Sequence, residues 1–224
     1  MNIDGNFSRV GSANVEVTKA YVEKLSAESW SQDGTEVQQV NDGAGTQLIY
    51  LVHDDRLRHD QPSPRPALEV FGRCIRPILA VTADHFDSSP EGVQLTQKFG
   101  SGYFIRASLL RISGGAVFTA GEDVVFSETH AHRVHVPIVT HRDVVFTVDD
   151  EALTIPEGEI FEINNRRRNI IQNNGERGCV HLVLDYVLKG EMCCCGRKGH
   201  PQEPCSPEAC FASDRAKSRC ECFR

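Results

Sequence analysis

The chain has 224 residues, 40% apolar and 25% charged, which is enough for one domain with a proper core, or one domain plus an appendage, and is the composition of a soluble globular protein. Its 31 acidic against 24 basic side chains leave a net charge of −7, which argues against a general affinity for nucleic-acid phosphates or anionic membranes. No apolar run approaches the roughly 18 residues of a membrane span, and the opening MNIDGNFSRVGSANVEV has neither the basic nor the apolar stretch of a secretion signal, so a cytoplasmic, reducing setting is the expectation.

In chain order, NVEVTKAYVEKLSAESW (14–30) places Val17, Tyr21 and Leu25 at helical spacing with charges between, which predicts an amphipathic helix ending near Trp30. TQLIYLVHDD (46–55), rich in β-branched and aromatic residues, predicts a strand. A loop with three prolines, RLRHDQPSPRP, leads to ALEVFGRCIRPILAVTADHF, where Phe71, Ile75, Ile78 or Leu79, and Phe86 share one helical face and Pro77 is expected to kink or divide the helix. From Phe99 the texture changes to short apolar runs broken by Gly and Asp or Asn: YFIRASLLRI, AVFTA, HRVHVPIV, DVVFTV, GEIFEINN, NIIQNN and CVHLVLDYVL. Seven short strands at this spacing predict a sandwich or barrel. The organisation is a helical or mixed N-terminal layer over 1–98, a β-rich core over 99–190 and a Cys-rich tail over 191–224.

Cysteine usage is lopsided: of nine, only Cys74 and Cys179 precede the tail, which holds Cys193, Cys194, Cys195, Cys205, Cys210, Cys220 and Cys222 together with His200. The tail has too few large apolar residues to bury a core of its own, so metal, disulfides or a partner must order it. Its spacing fits no paired Cys-x2-Cys finger, whereas the triplet and the terminal Cys-x-Cys have the density of clusters in which thiolates share soft ions such as Zn or Cu(I). A redox-reactive appendage and a peptide modified by another enzyme are the competing readings. The triplet Arg166, Arg167, Arg168 is either an anion site or a solvated turn.

Three passages, LLRISGGAVFTAGED (109–123), HRVHVPIVT (132–140) and IPEGEIFEINNRRRNIIQNNGERGCVHLVLDY (155–186), resemble the aspartyl/asparaginyl β-hydroxylase family of 2-oxoglutarate and Fe(II)-dependent oxygenases. The resemblance covers about 99–188 and implies a mainly β fold with flanking N-terminal helices, a double-stranded β-helix or cupin-like jelly roll. It also implies where the chemistry belongs. The family's two metal histidines fall on Gly121 and Asn169, its metal carboxylate on Asp123, its co-substrate Arg-x-His on Arg133 and His135, and its further co-substrate arginine on Cys179.

These departures bear on activity. Iron(II) in this chemistry needs a facial set of His and carboxylate ligands; Asn is a weak neutral donor and Gly offers none. A cysteine cannot replace the bidentate grip of an arginine on a carboxylate. Arg133 and His135 share a strand face, as do Cys179, His181 and Val183, so the pocket is expected to hold an arginine, two histidines, a thiol and Asp123. His135, Cys179 and His181 form a trio of the kind zinc or copper accepts, or relics packed inside a barrel. Cys179 beside His181 is either an activated nucleophile or a buried inert thiol. His130 and His132 form a His-x-His pair, but a strand that points Arg133 inward points His132 outward.

Three function classes follow. One is a pseudo-oxygenase that has lost the Fe(II) and 2-oxoglutarate reaction and acts as a binding or regulatory module for a peptide or protein partner, with a metal- or redox-active tail. Another is an active 2-oxoglutarate-dependent hydroxylase, or repurposed metalloenzyme, acting on a peptide or amino-acid side chain through a rebuilt metal site. The third is an assembly unit clamped by tail thiols.

Overall fold

The alternation of apolar residues over 103–187 becomes eight antiparallel strands in the computed structural model of the chain, which describes residues 3, 5–30, 45–54, 62–120, 131–165, 167 and 169–191. These are β4 (Tyr103–Ile112), β5 (Val117–Ala120), β6 (His132–Val139), β7 (Val144–Val148), β8 (Glu151–Leu153), β9 (Glu159–Ile163), β10 (Asn169–Asn173) and β11 (Cys179–Val187). Three more strands precede them: β1 (Phe7–Ser12), β2 (Thr46–His53) and β3 (Ser63–Pro64). A seven-stranded sheet has the order β1-β9-β6-β11-β4-β2-β3, and a four-stranded sheet has the order β5-β10-β7-β8. From β4 to β11 the chain passes back and forth between the two sheets, with only the β7–β8 hairpin staying in one. That winding is the double-stranded β-helix, and the fold is mainly β with a few helices.

Alternation alone does not explain β11, whose residues are buried on both faces. Val180, Leu182, Leu184 and Tyr186 pack against helix α2 (Ala67–Asp87), through Phe71, Ile75, Ile78 and Phe86, while Cys179 faces the other sheet with Phe146, Val148 and Ile171. A strand covered on both sides reads as a near-continuous apolar run. A polar residue inside such a run therefore needs a reason.

Helix α2 runs through Pro77 without dividing. The stripe Phe71, Ile75, Ile78, Thr82, Phe86 stays buried on both sides of the proline, and burying such side chains contributes about 1.5–3 kcal/mol each, enough to offset the roughly 3 kcal/mol of an interior proline. The N-terminal helix is shorter than its periodicity suggests: α1 covers Glu16–Val22, and a separate 3-10 turn covers Glu28–Trp30. Four elements escaped the periodicity reading: β1, the two-residue β3, the short β8, and helix α3 (Pro90–Phe99), which is capped by Ser89, whose hydroxyl accepts from the Gly92 amide at 3.0 Å. The Ser-Pro-Glu at 89–91 is the start signal that could have revealed α3. Residues 1–98 do more than form a layer, because β1 pairs with β9 at one edge of the large sheet, while β2 pairs with β4 and carries the edge strand β3 on the other side. No helix among the described residues is long and apolar enough to cross a membrane.

Candidate functional site

Strands β6, β11 and β4 lie side by side, and their registers set the interior of the barrel in rows. Asp185 is paired with Arg133 on one side and Arg106 on the other; Val183 with His135 and Ser108; His181 with Pro137 and Leu110; and Cys179 with Ile112. The expected face-sharing of Arg133 with His135, and of Cys179 with His181 and Val183, thus brings all five residues to one sheet face. His135 and His181 both reach Phe146 of the opposite sheet, with ring centroids 5.2 Å away in each case.

The outermost of these rows is an ion cluster. Arg133 grips Asp185 with two parallel bonds, Nε to Oδ1 and Nη2 to Oδ2, both 2.8 Å, and Arg106 Nε donates to the same Oδ2 at 2.6 Å. Burial pushes the Asp185 carboxyl up, but the charges and hydrogen bonds of Arg133 and Arg106 outweigh it and hold the group well below the usual carboxylate range. The arginine expected to receive a co-substrate carboxylate therefore already holds one from its own chain. Arg106 and Asp185 were not foreseen, although a lone Arg in YFIRASLL and a lone Asp in CVHLVLDYVL are charges set in doubly buried strands, and that was the available signal.

The next rows are neutral. Burial pushes His181 down to about 3. His135 is driven well below its ordinary value, first by burial and then by the nearby His181 and Arg133. Cys179 is fully buried, and burial pushes its thiol up to about 12. An activated Cys179–His181 pair would need a thiolate or a titratable base near neutral pH, and this environment supplies neither. Cys179 in the folded protein is accordingly expected to stay unlabelled by iodoacetamide at pH 7.5 and to react only after denaturation, which peptide mass spectrometry of labelled digests will check.

Asn169 opens β10 and pairs with Ala120, the last residue of β5, next to position 121. Its amide Nδ2 donates to the Arg167 carbonyl at 3.1 Å. Among the described residues no group of three or more His, Cys, Asp or Glu is placed to hold a metal, so His135, Cys179 and His181 do not assemble as a three-ligand site. Of the positions that the resemblance gives to the metal, Asn169 is the described one, and its neutral amide is a weak donor for Fe(II). Gly121, Asp123, His130, Arg166, Arg168 and the tail ligands Cys193, Cys194, Cys195, His200, Cys205, Cys210, Cys220 and Cys222 lie outside the described residues.

His132 points away from the barrel interior, as its position beside Arg133 requires. It stacks on Phe86 at 4.2 Å, and its two ring nitrogens meet Glu162 Oε1 at 2.7 Å and Glu191 Oε2 at 3.0 Å. Glu191 is 2% exposed, so the packing of the barrel continues to the residue where the tail begins.

No protein-family profile matches the chain, and no curated protein matches it in sequence. Solved structures do resemble it. One is an oxidoreductase of the 2OG-Fe(II) oxygenase family from Burkholderia pseudomallei, at 11% identity over 63% of this chain and 67% of that one, with a TM-score of 0.48. A second is the viral collagen prolyl hydroxylase of Paramecium bursaria Chlorella virus-1 in its 2OG complex, at 6% identity over 81% and 95% of the two chains, with a TM-score of 0.49. A third is AviO1 from Streptomyces viridochromogenes Tue57, at 13% identity over 90% and 93%, with a TM-score of 0.48. Likeness at these identities concerns the fold alone, and the fold assignment stands on the strand order.

Proposed function

We propose that this chain is an aspartyl/asparaginyl β-hydroxylase-like barrel that has given up Fe(II) and 2-oxoglutarate hydroxylation. It serves as a binding or regulatory pseudo-oxygenase for a peptide or protein partner, and soft-metal or thiol chemistry is carried by the Cys-rich segment 193–222. The observation that carries this reading is the Asp185 carboxylate lodged between Arg133 and Arg106. A dicarboxylate co-substrate would have to displace a buried, bidentate, charge-assisted pair before it could reach Arg133. Asn169 at the β5–β10 junction supports the same reading, since a neutral amide stands where the resemblance puts a histidine.

The test compares the full chain, purified without oxygen, with a variant carrying Ser at the seven tail cysteines. Elemental analysis is expected to find zinc or copper in the full chain and none in the variant, and neither protein should convert 2-oxoglutarate to succinate when supplied with Fe(II). Iron retained by the Ser variant, together with succinate formation, overturns the proposal in favour of an active hydroxylase with a rebuilt site.

A further inference from the structure

The turn that joins β10 to β11, NGERG over 174–178, holds the one Asn-Gly pair in the sequence. Two asparagines stand side by side here, and the fold treats them differently. Asn173 is fully buried and its side chain is fully engaged. Its Nδ2 donates to the Ile112 carbonyl at 3.2 Å and to the Arg177 carbonyl at 2.8 Å, and its Oδ1 accepts from the Gly175 amide at 3.1 Å. Asn174 is exposed, and its side chain makes no hydrogen bond to any described residue.

Gly175 is required by packing. A Cβ at this position would run into the ring of His141, whose Nε2 donates to the Arg177 carbonyl at 3.1 Å. The missing Cβ has a chemical consequence. The backbone nitrogen of the residue after an asparagine can attack the side-chain Cγ, and a side chain on that residue obstructs the approach; glycine has none. The turn therefore joins a free carboxamide to an unhindered nitrogen.

We propose that Asn174 is a site of spontaneous covalent modification, in which the Asn174–Gly175 pair closes to a succinimide that water opens to aspartate or isoaspartate. Gly175 N bonds to Asn174 Cγ and gives its proton to solvent, while the Cγ–Nδ2 bond breaks and Nδ2 leaves as ammonia. Water then opens the ring. Breaking the Gly175 N–Cγ bond restores the ordinary chain with an aspartate at 174. Breaking the bond from Gly175 N to the main-chain carbonyl carbon instead leaves the chain routed through Cγ, with one extra main-chain carbon. The chemistry needs only water, and neither iron nor 2-oxoglutarate.

The fold governs both the rate and the effect. The Asn174 amide donates to the Asp143 carbonyl at 2.9 Å, the Gly175 amide is held by Asn173 Oδ1, and the Gly175 carbonyl accepts from the Gly115 amide at 3.0 Å. Attack by Gly175 N gives up the second of these bonds, so the native turn reacts more slowly than the unfolded chain. The first and third tie the turn to the β6–β7 and β4–β5 turns, and a Cβ on Gly114 would meet the backbone of Gly175 and Glu176. An extra main-chain carbon between the Asn174 and Gly175 amides cannot keep all three bonds, so the isoaspartyl form holds these turns together less tightly.

The experiment incubates the full chain at pH 7.5 in water labelled with oxygen-18, native and in denaturant, then digests it in ordinary water for mass spectrometry with electron-transfer fragmentation. Asn174 is expected to be lost to aspartate and isoaspartate, each carrying an oxygen-18 atom, faster in denaturant, while Asn173 is retained in the native chain. The isoaspartyl fraction is expected to melt below the unconverted chain, and Asn174→Ser, a change at an exposed position, should show neither conversion nor loss of stability on incubation. A native chain that still holds Asn174 when the denatured chain has lost it overturns the proposal, as does native loss of Asn173 at the same rate. An isoaspartyl fraction that melts with the unconverted chain overturns the assigned structural effect.

Discussion

Replacing Asp185 by Ala is expected to lower the stability of the folded chain by about 3–5 kcal/mol, the usual effect of removing one partner from a buried ion pair. The side chains of Asp185, Arg106 and Arg133 are 2%, 7% and 11% exposed, so solvent does little to screen what is left behind. Two guanidiniums would lose the carboxylate they share, in a row lying between two β-sheets. Against a total of 5–15 kcal/mol for a typical domain, that is about a third of the margin. Urea unfolding at pH 7 measures it, and a difference below about 1 kcal/mol would mean that the cluster is far more hydrated than its geometry indicates.

The pH dependence gives a second check on the same residue. Asp185 is held ionised in the folded state, so its contribution is fully present above the unfolded carboxylate value of about 4 and is lost as pH falls through the depressed folded value. The stability gap between wild type and Asp185→Ala should therefore stay constant from pH 8 to pH 5 and shrink below pH 4. Replacement by Asn, which keeps the shape and removes the charge, should give a gap of the same sign with the same acid-limb behaviour.

His132→Leu is expected to cost about 3 kcal/mol or more, for a different reason. The His132 ring is the bridge between Glu162 and Glu191, and all three side chains are 10% exposed or less. Without the ring, two buried carboxylates lose the donor that joins them, and Phe86 loses its stacking partner. Leucine can refill the volume against Phe86 but can donate to neither carboxylate. Because the ring holds Glu191, the residue where the tail begins, the variant should also be cut faster by protease near 188–191. A His132→Leu chain as stable and as protease-resistant as wild type would show that the bridge has no structural weight.

Much of the fold was legible in advance. The strands YFIRASLLRI and HRVHVPIV coincide with β4 and β6, and the other five predicted strands overlap β5, β7, β9, β10 and β11. Their apolar runs are long enough, and their Gly and Asn breaks regular enough, for the pattern to outweigh context. Strand β1 was invisible because FSRVGS is a weak pattern whose pairing with β9 is provided by the rest of the sheet. Local sterics at Pro77 argue for a kink or a division of the helix, and the burial of a stripe on either side of it keeps the helix undivided.

The candidate site divides along the same line. By itself, the sequence determined which residues share a strand face, since side chains alternate along any strand. It therefore established that Arg133 travels with His135, that Cys179 travels with His181, and that His132 points the other way. Tertiary structure decided what those faces meet. The register of β11 between β6 and β4 put Asp185 between Arg133 and Arg106, turning an expected co-substrate arginine into half of an internal ion pair. The closing of one sheet over the other set His135 and His181 around Phe146 and left His135 Nδ1 and both His181 ring nitrogens without a partner among the described residues. Alternation is a property of one strand and can be read locally, whereas register and burial depend on contacts between residues far apart in the chain, such as Arg106 and Asp185, 79 positions apart, which no local pattern specifies.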